Sequence, residues 1–240
     1  MKKIASLLLN WNCEKFIVPH IKMIKPYVDK IIVVQATRAW RNYKAEHNLS
    51  DTPDNSEQII RERYPEIEIY YYEPEDADLT MFHSNSLNFG MSKLEEFDLV
   101  LKWDFDQLFT KKDLDTIFNV LHNSNYKQYS LDWARHSVNY HLIGSFEYGL
   151  RDETETDPFA IDPKYKFGPL LAYPFTKKII DEDVTQHHFR NWKSWVTQDW
   201  IDGKVKCYQG RWAKDRVKQF TPNNEWIKCP EEIKEYFNHA

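Results

Sequence analysis

Apolar and polar positions alternate in blocks along the first half of the chain. Ile4 to Leu9 is a short, nearly unbroken apolar run, the pattern of a strand buried on both faces. Ile17, Ile21, Ile24 and Val28 then recur at helical spacing and predict a helix over 14–28, with Asn12 as its cap and Pro19 as a kink or delayed start. Lys30 to Gln35 (KIIVVQ) is a β-branched second strand. Residues 36–55 are polar and predict a loop, followed by a short helix over Ser56 to Arg63 and a third strand over Ile67 to Tyr72. Leu87, Met91 and Leu94 form the apolar stripe of a helix over 79–96, and Asp98 to Trp103 (DLVLKW) is a fourth strand. Thr110 with Asp113 three residues on resembles a capping box, and Leu114, Ile117, Phe118 and Leu121 continue it as an amphipathic helix.

Strands alternating with helices predict an α/β fold, a mainly parallel central sheet with helices on both faces. The second half loses this rhythm. Residues 127–190 carry short strand-like pieces, 140–170 are rich in Gly and Pro, and 208–240 read as a polar wrap. One domain over 1–240 is expected, with 1–125 as a nucleotide-binding half and 126–240 as an irregular acceptor-binding half.

Composition narrows the function classes. The net charge is −5 and no long Lys/Arg run occurs, so a nucleic-acid partner is not expected. The three cysteines, Cys13, Cys207 and Cys229, have no C-x-x-C spacing; they point to a reducing, cytoplasmic setting and away from a zinc site. Lys2 and Lys3 before Ile4 superficially suggest a signal peptide, but Asn10, Trp11 and Asn12 break the run below the roughly 7–15 apolar residues such a segment needs. No apolar stretch approaches the ~20 residues of a membrane span. The many aromatics, 9 Trp, 14 Tyr and 14 Phe, serve the core first, and some suit a groove for sugar faces or bases.

The chemistry concentrates at Asp104-Phe105-Asp106, directly after the fourth strand. Ligands of open α/β sheets bind outside the carboxyl ends of the strands. Two carboxylates converging there repel each other unless a cation neutralises them. Mg²⁺ or Mn²⁺ suits oxygen donors and is commonly completed by substrate phosphates. Asp76-Ala77-Asp78 repeats the spacing inside an acidic loop and reads as a solvated surface. Asn10, Trp11 and Asn12 end the first strand on the same edge, where amides and an indole suit a base or diphosphate. Gln35 ends the second strand within reach of a ribose or base, and Asn88 faces the same region from the 79–96 helix. In Gln186-His187-His188-Phe189-Arg190-Asn191-Trp192-Lys193, adjacent histidines on an extended segment point to opposite sides. One of the two is expected at the metal, His188 ahead of His187, with Lys193 suited to phosphate.

With these residues on the page, NWNCEKFIVPHIKMIKPYVDKIIVVQ resembles the opening of family-2-like GT-A glycosyltransferases. SLNFGMSKLEEFDLVLKWDFDQLFTKKDL is similar to that family's helix–strand–DxD–helix segment, and HHFRNWKS resembles its C-terminal His segment. The likeness covers residues 3–125 and, more thinly, 185–195. It implies a GT-A (Rossmann-like) fold, Mn²⁺ or Mg²⁺, a UDP- or similarly activated sugar, and hexosyl or deoxyhexosyl transfer to a hydroxyl of a glycan or other acceptor. Asp104 and Asp106 would contact metal and nucleotide, and Asn10 to Asn12 the nucleotide. Gln35, Leu87 and Gln107 depart from the acidic, Arg and acidic residues usual in the family, which bears on the donor.

The family is usually inverting, which needs a base to take the acceptor's proton. Glu147, flanked by aromatics in GSFEY, is the first candidate and Asp157 the second, ahead of Asp152, Glu153 and Asp183. Two rival readings are a Mg²⁺-dependent phosphatase of the haloacid dehalogenase type and a non-catalytic carbohydrate-binding module. The phosphatase places its D-x-D after the first strand, where this chain has Asn10. A nucleotidyltransferase calls for a Gly-rich loop there, and no Gly precedes Gly90.

Overall fold

The computed structural model of the chain describes residues 1–37, 54–73, 79–132, 137–139, 146–148, 156–167, 178–180, 183–189, 217–219 and 229–238. Strand β1 (Ile4–Asn10) lies at the centre of the main sheet, paired in parallel with β2 (Lys30–Ala36) on one side and β4 (Leu99–Leu101) on the other. β3 (Glu68–Tyr72) pairs in parallel with the outer side of β2. Beyond β4 come β9 (Thr156–Ile161), β6 (Gln128–Asp132) and β10 (Lys178–Ile180), giving the seven-strand order β10-β6-β9-β4-β1-β2-β3. β9 alone runs antiparallel to its neighbours; the rest share one direction. The sheet therefore draws strands from both halves of the chain.

The period of two along β1 divides the core. Ile4 and Leu8 join one apolar cluster with Phe16, Ile17 and Ile21 of α1 (Glu14–Ile24), Ile60 of α2 (Ser56–Arg63) and Leu114, Ile117 and Leu121 of α4 (Lys111–Asn123). Ala5 and Leu7 join the opposite cluster with Leu87 and Met91 of α3 (Leu79–Met91). The expected layering, with helices on both faces, is what forms. α5 (Glu231–Phe237) packs on α1.

Several local expectations need correction. The helix predicted over 14–28 ends at Ile24 and passes into a single 3-10 turn, Lys25–Tyr27, because Pro26 has no N–H to continue the α-helical ladder, while Lys25 before it keeps right-handed helical angles (φ −52, ψ −37). α1 runs on through Pro19. Asn12 does not cap it: Asn12 takes a left-handed backbone (φ 55), a conformation Asn tolerates better than most residues, and Cys13 is the cap residue without a side-chain bond. The 79–96 helix stops at Met91, although its stripe of Leu87, Met91 and Leu94 is buried as expected. The capping box at Thr110 and Asp113 forms in full. Among the described residues, no helix is long and apolar enough to cross a membrane, and Cys13 and Cys229 are both buried.

Candidate metal and nucleotide site

β4 delivers the chain into a hydrogen-bonded turn over Asp104–Gln107. Gln107 N donates to Asp104 O at 3.0 Å, and Gln107 Oε1 accepts from Asp104 N at 3.1 Å. Asp104 is half-buried and Asp106 buried, while Phe105 between them turns into the core and is 1% exposed. The turn leads into β5 (Gln107–Leu108), which pairs antiparallel with β11 (Gln186–His188). The register sets His188 opposite Gln107 and His187 opposite Leu108, and Phe189 N donates to Asp106 O at 2.8 Å. The histidine segment and the D-x-D turn, some eighty positions apart in sequence, are thus stitched together by their backbones. β7 (Ser137–Asn139) completes this small sheet on the other side of β11.

Two devices hold β11 there. Asp113 caps α4 through Thr110 N (3.2 Å) and Thr110 Oγ1 (2.5 Å), and its other oxygen accepts from Thr185 N at 3.1 Å. Phe189, fully buried, packs its ring 6.0 Å from that of Phe16 and 5.4 Å from that of Phe237, joining β11 to α1 and α5. His187 is buried, which pushes its pKa down, with Asp113 pulling the other way. For His188 the backbone alone is described.

At the ends of β1 and β2 the predicted nucleotide residues form a closed polar web. Asn10 Nδ2 donates to Gln35 Oε1 at 2.6 Å and to Ser56 Oγ at 2.8 Å, and Gln35 Nε2 donates to Ala36 O at 2.9 Å. Asn10 Oδ1 is buried without a partner. Asn12 Oδ1 accepts from Asp54 N at 2.8 Å; Asp54 in turn accepts from Glu14 N at 3.0 Å and from Ser56 N at 3.0 Å. Asp54, distant in sequence, therefore caps the first turn of α1 and the start of α2 together. An anion seated at the N-terminus of α1 has to displace that carboxylate. Trp11 is buried at the same edge. Asn88 brackets the backbone of Phe167, donating to its carbonyl at 3.0 Å and accepting from its N–H at 2.7 Å, so its amide is committed to the segment after β9.

The remaining candidates are less completely placed. Glu147 lies on β8 (Phe146–Tyr148), opposite Lys218 of β12 (Val217–Gln219), and Asp157 lies on β9 opposite Leu131; for both, the backbone alone is described. Asp183 is exposed beside Lys112 at 4.0 Å. Asp76, Asp78, Asp152, Glu153, Arg190 and Lys193 lie outside the described residues. Among the described residues, no group of three His, Cys, Asp or Glu side chains is close enough to hold a metal. Asp104 and Asp106 are two carboxylates within one turn, donors of the kind a hard cation completed by phosphate takes rather than those of a closed structural site.

Sequence reasoning missed His20. It is fully buried on α1, its ring edge-on to Phe105 at 5.5 Å between centroids. Burial pushes its pKa down to about 4, against the opposing pull of the Phe105 backbone and of Asp106 and Asp104. One turn on, Met23 Sδ accepts from Phe109 N at 3.0 Å. Nothing in the apolar pattern of α1 distinguishes His20 from a polar position.

A mainly parallel sheet clothed on both faces, with the Asp104–Gln107 turn at the carboxyl end of β4, makes this a Rossmann-like α/β fold. No protein-family model matches the chain, and no curated protein matches its sequence. Among solved structures, residues 1–349 of TarS from S. aureus are similar over 85% of this chain and 64% of that one, at 12% identity and a TM-score of 0.48. Glucosyl-3-phosphoglycerate synthase from Mycobacterium tuberculosis, in a complex with Mn²⁺, uridine diphosphate and glucosyl-3-phosphoglycerate, is similar over 57% of this chain and 44% of that one, at 17% identity and a TM-score of 0.38. 4-Diphosphocytidyl-2C-methyl-D-erythritol synthase is similar over 68% and 76%, at 11% identity and a TM-score of 0.41. The chain spans less than two thirds of the length of the first two.

Proposed function

We propose that this chain is a metal-dependent glycosyltransferase that moves a hexosyl or deoxyhexosyl group from a nucleotide-sugar, UDP-linked, to a hydroxyl of a glycan or other acceptor, with inversion. The observation that carries the reading is the pairing of β11 with β5, which brings the histidine segment against the Asp104–Gln107 turn at the carboxyl edge of β4. In this reading Asp104 and Asp106 hold Mn²⁺ or Mg²⁺. His188 is the third protein ligand, because it pairs with Gln107, directly after the two aspartates, while His187 pairs with Leu108. A bound cation at this turn supplies charge neutralisation for a departing diphosphate. Asn10, Trp11, Asn12 and Gln35 form the wall for the base and ribose, and Lys193 meets phosphate. Asn88 acts through the segment at Phe167.

Inversion needs a carboxylate that takes the acceptor proton as its oxygen bonds to the anomeric carbon and the bond from that carbon to the diphosphate oxygen breaks. β9 runs antiparallel to β4, and Lys102 N donates to Phe159 O at 2.6 Å, so Asp157 comes at the strand end nearest the D-x-D turn. This favours Asp157 over Glu147, the reverse of the order read from sequence. The N-terminal half is then the nucleotide platform, and residues after 126 supply the acceptor side.

The test is thermal stabilisation by UDP with and without Mn²⁺, together with Mn²⁺-dependent hydrolysis across a panel of sugar nucleotides. The wild-type chain is expected to be stabilised by UDP only with metal, and Asp104→Asn and Asp106→Asn are each expected to lose both signals. Equal stabilisation by UDP without metal in all three proteins would falsify the metal assignment. Stabilisation by free sugar alone would mark a binding module instead.

A further inference from the structure

A histidine with no charged partner is an expensive core residue. A buried polar group without a hydrogen bond loses its water without replacement, a cost that a leucine or phenylalanine in its place does not carry. His20 is fully buried, and neither Nδ1 nor Nε2 has a hydrogen-bond partner of ordinary geometry. Departures of this kind from ordinary core chemistry are concentrated at functional sites. The surroundings of His20 say which one. Its ring stands edge-on to Phe105, the middle residue of the D-x-D, at 5.5 Å between ring centroids. Three positions along the same helix, Met23 receives the N–H of Phe109 just after the turn. α1 thus forms the floor of the segment 104–109, while β11 holds it from the side through Phe189 and Asp106.

We propose that His20 is a positioning residue for Asp104 and Asp106: wedged beneath Phe105, it fixes the turn that presents both carboxylates, so cation affinity depends on a residue that does not touch the cation. The proposal rests on the reading of Asp104 and Asp106 as metal ligands. The physical link is short. Phe105 is the pivot between the two aspartates, and a rotation of its peptide planes swings both side chains. Metal binding is sensitive to such supporting contacts, commonly by about 10–100-fold in affinity.

The experiment uses the full chain with His20→Leu, which removes the ring that meets Phe105, and His20→Phe, which keeps it. Amide hydrogen exchange is followed in metal-free protein over 103–109, with 114–121 in α4 as the internal control, and Mn²⁺ affinity is measured by titration. Exchange over 103–109 in His20→Leu is expected to accelerate by about tenfold with 114–121 unchanged. Mn²⁺ should bind it about tenfold more weakly, and His20→Phe should recover most of both. Unchanged exchange over 103–109 in His20→Leu overturns the proposal, as does acceleration spread equally over 114–121, which marks a merely structural histidine. If His20→Leu does not fold, His20→Gln, which also lacks the ring, decides: faster exchange over 103–109 with weaker Mn²⁺ binding supports the proposal, and wild-type values overturn it. Should wild-type protein fail to bind Mn²⁺, the metal reading fails by itself, and the exchange comparison still decides whether His20 sets the turn.

Discussion

Asp113 is the residue on which the site's assembly depends most directly, and its removal has a calculable effect. Its carboxylate is buried, and it accepts from Thr110 N, Thr110 Oγ1 and Thr185 N. Asp113→Ala removes one half of a capping box, a loss of about 1 kcal/mol. It also strips a charged acceptor from the Thr185 N–H, worth about 1.5–3 kcal/mol when both groups are enclosed. Thr185 is half-exposed, so water recovers part of the second amount. The expected destabilisation is therefore about 2–3 kcal/mol, read as a shift of the urea midpoint at unchanged slope. The loss should also be local. Amides 186–189 should exchange faster than those of β1, because Thr185 leads directly into β11. Asp113→Asn, which keeps one acceptor oxygen, should fall between. A midpoint shift below about 0.5 kcal/mol, the range of an ordinary surface substitution, would refute the claim that this carboxylate anchors β11.

Other consequences follow from the same contacts. The folded-state pKa of His20 is about 4 against 6.5 in the unfolded chain, so the unfolded state takes up the proton first. Its contribution is complete above 6.5 and is lost as pH falls through that window, by about 3 kcal/mol. His187, also pushed down by burial, adds in the same direction. Urea midpoints at neutral and acid pH should show this loss, and His20→Phe should flatten most of it; an unchanged pH dependence in that variant would count against the assignment. Gly90 sits where a Cβ would meet both Cδ atoms of Leu7 and lie 3.0 Å from Val34 Cγ2. Gly90→Ala gains about 1 kcal/mol of helix propensity but incurs about 1–3 kcal/mol of overpacking, so a net loss is expected and a raised melting temperature would contradict it. Phe189→Ala empties a fully buried site between Phe16 and Phe237 and should cost about 3–5 kcal/mol by denaturant titration.

What the sequence determined by itself was everything carried by local period and local chemistry. KIIVVQ could only be a buried strand, and Thr110 with Asp113 fixed the start of α4. The D-x-D followed its strand closely enough to place two carboxylates at the sheet's carboxyl edge. Such features depend on residues within one or two turns of each other, and the chain cannot satisfy them in another way.

Only the tertiary structure decided the rest, because those contacts join residues far apart in sequence. Asn12 was a reasonable cap on composition, yet Asp54 reaches the first N–H of α1 from 40 positions away and leaves Asn12 a left-handed turn. Asn88 carries a plausible amide for a ribose, but the backbone of Phe167 occupies it. β9 reads like any other strand piece, and its reversed direction comes from pairing between β4 and β6. His20 falls within an unremarkable helix, and its meaning exists only because Phe105 folds down onto it. Backbone hydrogen bonding and burial are set by what arrives from elsewhere in the chain, and no local pattern encodes the arrival.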